Sequence, residues 1–117
     1  MKLTVKKDPV KGRGIYALSN IKSNVVLEKC HLLILHESEV HDLLDRYVFS
    51  YSKHHVALAL GNGSLYNHSS KPNAYCYFTD DREQLIFETL RPIKKGEEIL
   101  INYGYSKKDL KRFKIES

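Results

Sequence analysis

The sequence predicts a mainly β domain of many short strands with little helix. Short apolar or alternating runs recur along the chain, at Leu3–Lys6, Ile15–Leu18, Val25–Leu35, Val56–Leu60, Ala74–Thr79, Leu85–Leu90 and Ile99–Ile101. Clusters of turn-forming residues separate them. Only one internal stretch carries a helical period.

Leu3–Lys6 alternates as a half-buried strand does, and Asp8-Pro9-Val10-Lys11-Gly12-Arg13-Gly14 follows as a breaker-rich turn. Ile15–Leu18 resumes extended structure and Asn20–Asn24 turns the chain again. Val25–Leu35 is long, apolar and β-branched enough for one or two strands. Within Glu37–Arg46, the residues Val40, Leu43, Leu44 and Tyr47 fall at i, i+3, i+4 and i+7, which predicts a helix with Ser38 as N-cap. Tyr47–Tyr51 has strand composition. Ala74–Thr79 and Leu85–Leu90 flank Asp80-Asp81-Arg82-Glu83, a polar hairpin connection, and Pro92 and Lys95-Gly96 punctuate the way to the last strand. From Ser106 a short basic helix would place Leu110 and Phe113 on one face.

At 117 residues, 42% hydrophobic and 28% charged, the chain reads as one soluble globular domain over 1–117. No apolar run approaches the ~20 residues of a membrane span. Met-Lys-Leu-Thr-Val-Lys-Lys has no signal-peptide core, so an intracellular location, cytoplasm or nucleus, is expected. Cys30 and Cys76 make no metal spacing and no disulfide framework, and both read as buried thiols. The net charge of +5 permits contact with nucleic acid without requiring it, and Lys107, Lys108, Lys111, Arg112 and Lys114 concentrate the excess in the tail.

Leu65–Asn73, Leu-Tyr-Asn-His-Ser-Ser-Lys-Pro-Asn, packs two Asn, one His, two Ser and a Pro into nine residues after an apolar run. Such side chains bond nearby backbone and build fixed turns, and loops held on a rigid scaffold are where binding and catalytic groups sit. Gly12-Arg13-Gly14-Ile15-Tyr16-Ala17 matches G-x-G-x-x-A, but the dinucleotide fingerprint requires a helix to open there and Ile15–Leu18 reads as extended. The two glycines still allow close backbone approach to a ligand. Six histidines show neither an i, i+4 pair nor a Cys or carboxylate at ligand spacing, so no metal is expected. Ser64, Ser69 and Ser70 near His68 lack a nucleophile elbow. Finally, Gly96-Glu97-Glu98-Ile99-Leu100-Ile101-Asn102-Tyr103-Gly104-Tyr105 is a strand leaving its sheet at a Tyr-Gly corner, where Tyr103 can turn its hydroxyl into a cleft.

In this order, Lys-Gly-Arg-Gly-Ile-Tyr-Ala, Tyr-Asn-His-Ser-Ser-Lys-Pro-Asn-Ala and Gly-Glu-Glu-Ile-Leu-Ile-Asn-Tyr-Gly resemble the SET-domain protein-lysine methyltransferases over about Leu3 to Tyr105. The resemblance implies a β-clip-like fold of several small sheets, in which the Asn-His-Ser segment meets the C-terminal segment in a pseudoknot. It implies S-adenosylmethionine as cofactor and a lysine-bearing protein, a histone tail or another protein, as substrate. Arg13 and Gly14 would offer backbone groups to the cofactor, and Asn67 and His68 would hold its two ends. Tyr103 would be the catalytic tyrosine, with Tyr47 and Ile101 beside it along the lysine channel. Ile101 stands where relatives carry a residue that limits the number of methyl groups added.

Many members of this family carry flanking Cys-rich zinc modules, and the 117 residues, with only Cys30 and Cys76, are expected to work without them. The expectation is that the tail beyond Gly104 closes the cofactor site through Tyr105 or Phe113, or that a second subunit of a homodimer does. The competing function is a catalytically silent SET domain used as a basic module for chromatin or nucleic acid.

Overall fold

The computed structural model describes residues 3–10 and 12–102, and the expected strands form within them. Strand β1 (Leu3–Asp8) pairs antiparallel with β2 (Gly12–Ala17), in register from Leu3 opposite Ala17 to Asp8 opposite Gly12. The breaker-rich stretch is thus shorter than its composition suggests. Asp8 Oδ1 accepts from Val10 N–H at 2.7 Å and tightens the turn. No helix opens at Gly12-Arg13-Gly14, as expected from the extended run that follows.

Strands β3 (Val26–His36), β4 (Val48–Ser52), β5 (His55–Ala59), β6 (Asn67–His68), β7 (Ala74–Phe78), β8 (Gln84–Thr89) and β9 (Leu100–Ile101) form one sheet in the order β4-β5-β3-β8-β7-β9-β6. The run at Val25–Leu35 is one strand with two partners. Val26–His31 pairs with β8 and Leu32–His36 with β5, and the register shifts between Val26 and Glu28. Such a bulge bends and twists the strand locally. Arg82 ties the two halves together at the tip of the β7–β8 hairpin. Its guanidinium lies 4.4 Å from the Tyr51 ring and 4.6 Å from the Phe78 ring, and its carbonyl accepts from Tyr51 Oη at 3.0 Å.

The helix expected over Glu37–Arg46 does not form. The segment is instead two 3-10 turns, Glu37–Glu39 and Asp42–Arg46, separated by extended Val40 and His41. Asp42 has φ 53, a left-handed conformation that breaks any continuous right-handed helix. Val40 is buried while Leu43 and Leu44 are exposed, so the i, i+3, i+4 stripe never faces a core. The cap is also two residues earlier than expected: His36, not Ser38, caps the first turn, its Nδ1 accepting from Ser38 N–H at 3.1 Å.

The core runs between the hairpin and the sheet. Ile15, Phe87, Ile99 and Ile101 are fully buried, and Leu85, Ile93 and Tyr66 nearly so. Each such side chain contributes about 1.5–3 kcal/mol by leaving water. Cys30 is buried as expected and Cys76 is half-buried. Burial pushes their thiols up to about 12 and about 11, which keeps them protonated and inert. Among the described residues no helix is long and apolar enough to cross a membrane.

Strand β9 runs parallel to both of its neighbours, Asn67 and His68 pairing with Leu100 and Ile101 on one side and Ala74 with Ile101 on the other. Strands β6 and β7 are consecutive in the chain, so Ser69–Asn73 must span across β9 to join them. The C-terminal strand therefore passes under the Asn-His-Ser loop. This is the crossing that the resemblance implies, followed here as far as Asn102.

Candidate active site

The three stretches singled out in the sequence meet at this crossing. Asn67, at the start of β6, donates its side-chain Nδ2–H to Glu98 Oε2 at 2.7 Å and to the Arg13 carbonyl at 3.3 Å. Gly14 packs against the same pair. A Cβ there would lie 2.5 Å from Glu98 Oε2 and 2.9 Å from Asn67 Nδ2, so any other residue would push the ends of these two side chains apart. Backbone bonds complete the junction: Ile99 N–H donates to the Ile15 carbonyl at 2.8 Å and Ala17 N–H to the Glu97 carbonyl at 2.9 Å. Gly96, at φ 87, makes the turn that lets its own N–H reach the Ala17 carbonyl at 2.8 Å.

Asn73 holds the other end of the loop. It is 1% exposed. Its Nδ2–H donates to the Glu98 carbonyl at 2.8 Å, and its Oδ1 accepts from Leu100 N–H at 2.7 Å. Its amide thereby bonds the strand that the loop crosses as another strand would. Glu97 lies beside it, accepting from Lys94 N–H at 3.0 Å and from Arg91 Nη2 at 2.8 Å. These bonds hold the Glu97 carboxyl below the usual carboxylate range. Ser69 N–H donates to the Ile101 carbonyl at 2.9 Å.

Tyr66 sets the entry to the loop. Its ring stacks on Phe87 with centroids 4.5 Å apart, and its hydroxyl donates to Glu28 Oε1 at 2.5 Å. Burial, with Glu28 alongside, pushes this phenol well above its ordinary value. His68 is buried, and desolvation pushes its imidazole below the ordinary value, so it is neutral at pH 7.

The remaining expected residues are placed as follows. Tyr47 ends the second 3-10 turn and lines a small cleft with Arg46, Val48, Phe49 and Ser64. Ile101 is fully buried beside His68 and Ala74. Tyr103, Tyr105 and Phe113 lie outside the described residues, as does the basic tail. Sequence reasoning missed Asn73, Glu97 and Glu98 as site-builders. The signal was present: Asn73 closes the polar loop directly after Pro72, and the two glutamates follow the Lys95-Gly96 turn.

The acceptors gathered here suit an amino-acid-like cationic ligand. A carboxylate (Glu98), a backbone carbonyl (Arg13), a carboxamide (Asn67) and a neutral imidazole (His68) stand on adjoining segments. An ammonium needs acceptors of this kind. Glycine at position 14 leaves the room that the ends of the Glu98 and Asn67 side chains occupy beside the backbone.

Comparison with known proteins agrees with this geometry. The SET domain family matches residues 12–104. A histone-lysine N-methyltransferase of Schizosaccharomyces pombe, specific for H3 lysine-37, is 33% identical over 107 residues, covering 87% of this chain and 73% of that protein. A crystal structure of a Plasmodium falciparum protein, provisionally described as a histone methyltransferase, is similar with a TM-score of 0.76 and 34% identity. That match covers 91% of this chain and 96% of the other. With the strand crossing, the Asn67–Glu98–Gly14 junction and a family match over most of its length, the chain belongs to the SET domain family.

Proposed function

We infer that this protein is a lysine methyltransferase that transfers a methyl group from S-adenosylmethionine to a lysine side chain of a protein, with a histone tail as the substrate class. The observation that carries the reading is the meeting of Gly14, Asn67 and Glu98 at the crossing of β6 and β9. The H3 specificity named for the fission-yeast relative supports a histone, and a histone substrate supports a nuclear location. The catalytic unit is the single domain over 1–117.

Bound S-adenosylmethionine would supply a methyl carbon made electrophilic by an adjoining sulfonium. The chain's own residues do the positioning. Arg13 and Gly14 present backbone, and Asn67, His68 and Glu98 surround the ligand's amino-acid and adenine ends. Tyr105 or Phe113 covers it from the tail. A lysine amine attacks only when neutral, and its ordinary pKa is about 10.4. A dry channel beside a positive charge lowers that value. Tyr47 and Ile101 flank the alkyl stem, and the Tyr103 hydroxyl orients the amine. Correct alignment supplies much of the rate.

The test is methyl transfer from labelled S-adenosylmethionine to histone H3 and to whole-cell protein, read by mass spectrometry, alongside calorimetric titration of the cofactor. Labelled lysine with wild-type enzyme, lost in Tyr103→Phe at unchanged cofactor affinity, is the expected result. A chain that does not bind the cofactor is a silent binding module, and the reading fails.

A further inference from the structure

The outer face of β7 and β8 carries an arrangement that neither the core nor the crossing uses. Tyr75 and Tyr77 point away from the core on β7, and Glu88 stands opposite Tyr75 on β8. The two rings stack with centroids 5.6 Å apart and planes 25° from parallel. Tyr75 Oη donates to Glu88 Oε2 at 2.5 Å and Tyr77 Oη to Glu88 Oε1 at 3.1 Å. Two phenols thus hold one carboxylate by both its oxygens. Glu88 forms no ion pair among the described residues, although the chain carries a net charge of +5. Tyr77 and, across from Glu88 on β3, Val26 are exposed. Lys29, opposite Ile86, closes one end of the patch with positive charge and leaves the Val26 side open.

The chemistry that complements this patch is a cation on an alkyl stem. Each carboxylate oxygen has two acceptor sites, of which a phenol occupies one. One remains on each oxygen, which matches the paired N–H donors of a guanidinium. Stacked tyrosine rings beside it offer a surface for the stem and a negative face for the charge. Tyr75 directly follows Ala74, which pairs with Ile101 of β9. Backbone spacing therefore puts the patch on the order of 5–10 Å from the strand that leads to the candidate lysine channel.

We propose that Tyr75, Tyr77 and Glu88 form a docking point for an arginine or lysine of a basic substrate segment, engaged alongside the target lysine. The role in substrate choice rests on the proposed methyltransferase function; the docking itself does not.

Two synthetic peptides test it on the full chain without cofactor: one target lysine with two arginines to one side, and the same peptide with both arginines replaced by glutamine. The wild-type protein should bind the first about 5- to 10-fold more tightly, the scale of one exposed ion pair with a cation–π contact. Only the first should shift the Tyr75 and Tyr77 ring resonances. Glu88→Gln should bind both peptides alike while retaining the wild-type melting temperature. Equal affinities for wild type, or a preference that survives Glu88→Gln, overturns the proposal. If Glu88→Gln does not fold, the two-peptide comparison and the ring shifts on the wild-type chain still decide it. A full-length chain with Lys107, Lys108, Lys111, Arg112 and Lys114 changed to Gln gives the remaining outcome: ring shifts without any peptide would mean that the patch holds the chain's own tail, which also overturns it. Should no methyl transfer be found while the Glu88-dependent preference persists, the enzymatic reading fails and the docking site stands.

Discussion

Replacing Asn73 with alanine should cost more than any other single change to the loop. The side chain is 1% exposed and bonds two backbone groups of the crossing strand, the Leu100 N–H at 2.7 Å and the Glu98 carbonyl at 2.8 Å. Alanine leaves both without this partner. Each unpaired buried group costs about 1–3 kcal/mol, so the expected loss for the two is roughly 2–6 kcal/mol. Against a domain stability of about 5–15 kcal/mol that is a large fraction. In thermal unfolding it corresponds to a fall of roughly 10–25 °C. Asn73→Asp keeps an acceptor for Leu100 N–H but loses the donor to the Glu98 carbonyl and sets a second carboxylate beside Glu97. It should do no better than alanine at neutral pH. Urea unfolding followed by circular dichroism measures both, and cofactor titration should show affinity falling with stability. A melting temperature for Asn73→Ala within a few degrees of wild type would refute the reasoning that this amide holds the crossing together.

Gly14→Ala should weaken cofactor binding more than it weakens the fold, because the new methyl displaces the ends of Glu98 and Asn67 rather than backbone. Calorimetry checks this, and full affinity would remove Gly14 from the site. His68 has a folded pKa depressed below 6.5 by burial. Its contribution to stability is therefore complete above the unfolded value of 6.5 and is lost as pH falls through the lower folded value. Melting curves between pH 8 and pH 5 should show that loss, and His68→Gln should flatten it. Tyr103→Phe should lower kcat by orders of magnitude, since loss of one positioned transition-state contact is worth a few kcal/mol. Near-normal turnover would take Tyr103 out of its assigned role.

The strands were legible because each is short, apolar on one face and bounded by breakers, so that periodicity and turn chemistry agree. The stretch Glu37–Arg46 misled because its apolar spacing fits a helix while Leu43 and Leu44 stay exposed. An apolar stripe predicts a helix only where a partner surface exists, and the left-handed turn at Asp42 leaves no local sign in composition. The Asn-His-Ser loop was legible as a site, but its partners were not. Asn67 and Glu98 stand 31 positions apart, and β6 is only two residues long, too short to announce itself by alternation. Asn73 likewise reads as one more turn residue until the strand beneath it is known.

The placement of β9 also sets an order of events in synthesis. A chain made from its N-terminus completes the residues of β6, the loop and β7 before β9 exists, so β7 first stands with a gap beside it, and β6, whose strand partner is β9, has nothing to pair with. The bond from Leu100 N–H to Asn73 Oδ1 spans 27 positions, and contacts of such range form slowly. Until Leu100 and Ile101 slide into that gap, Asn67, Asn73 and His68 have nothing to organise them. The last secondary structure to be translated among the described residues is thus the one that creates the site.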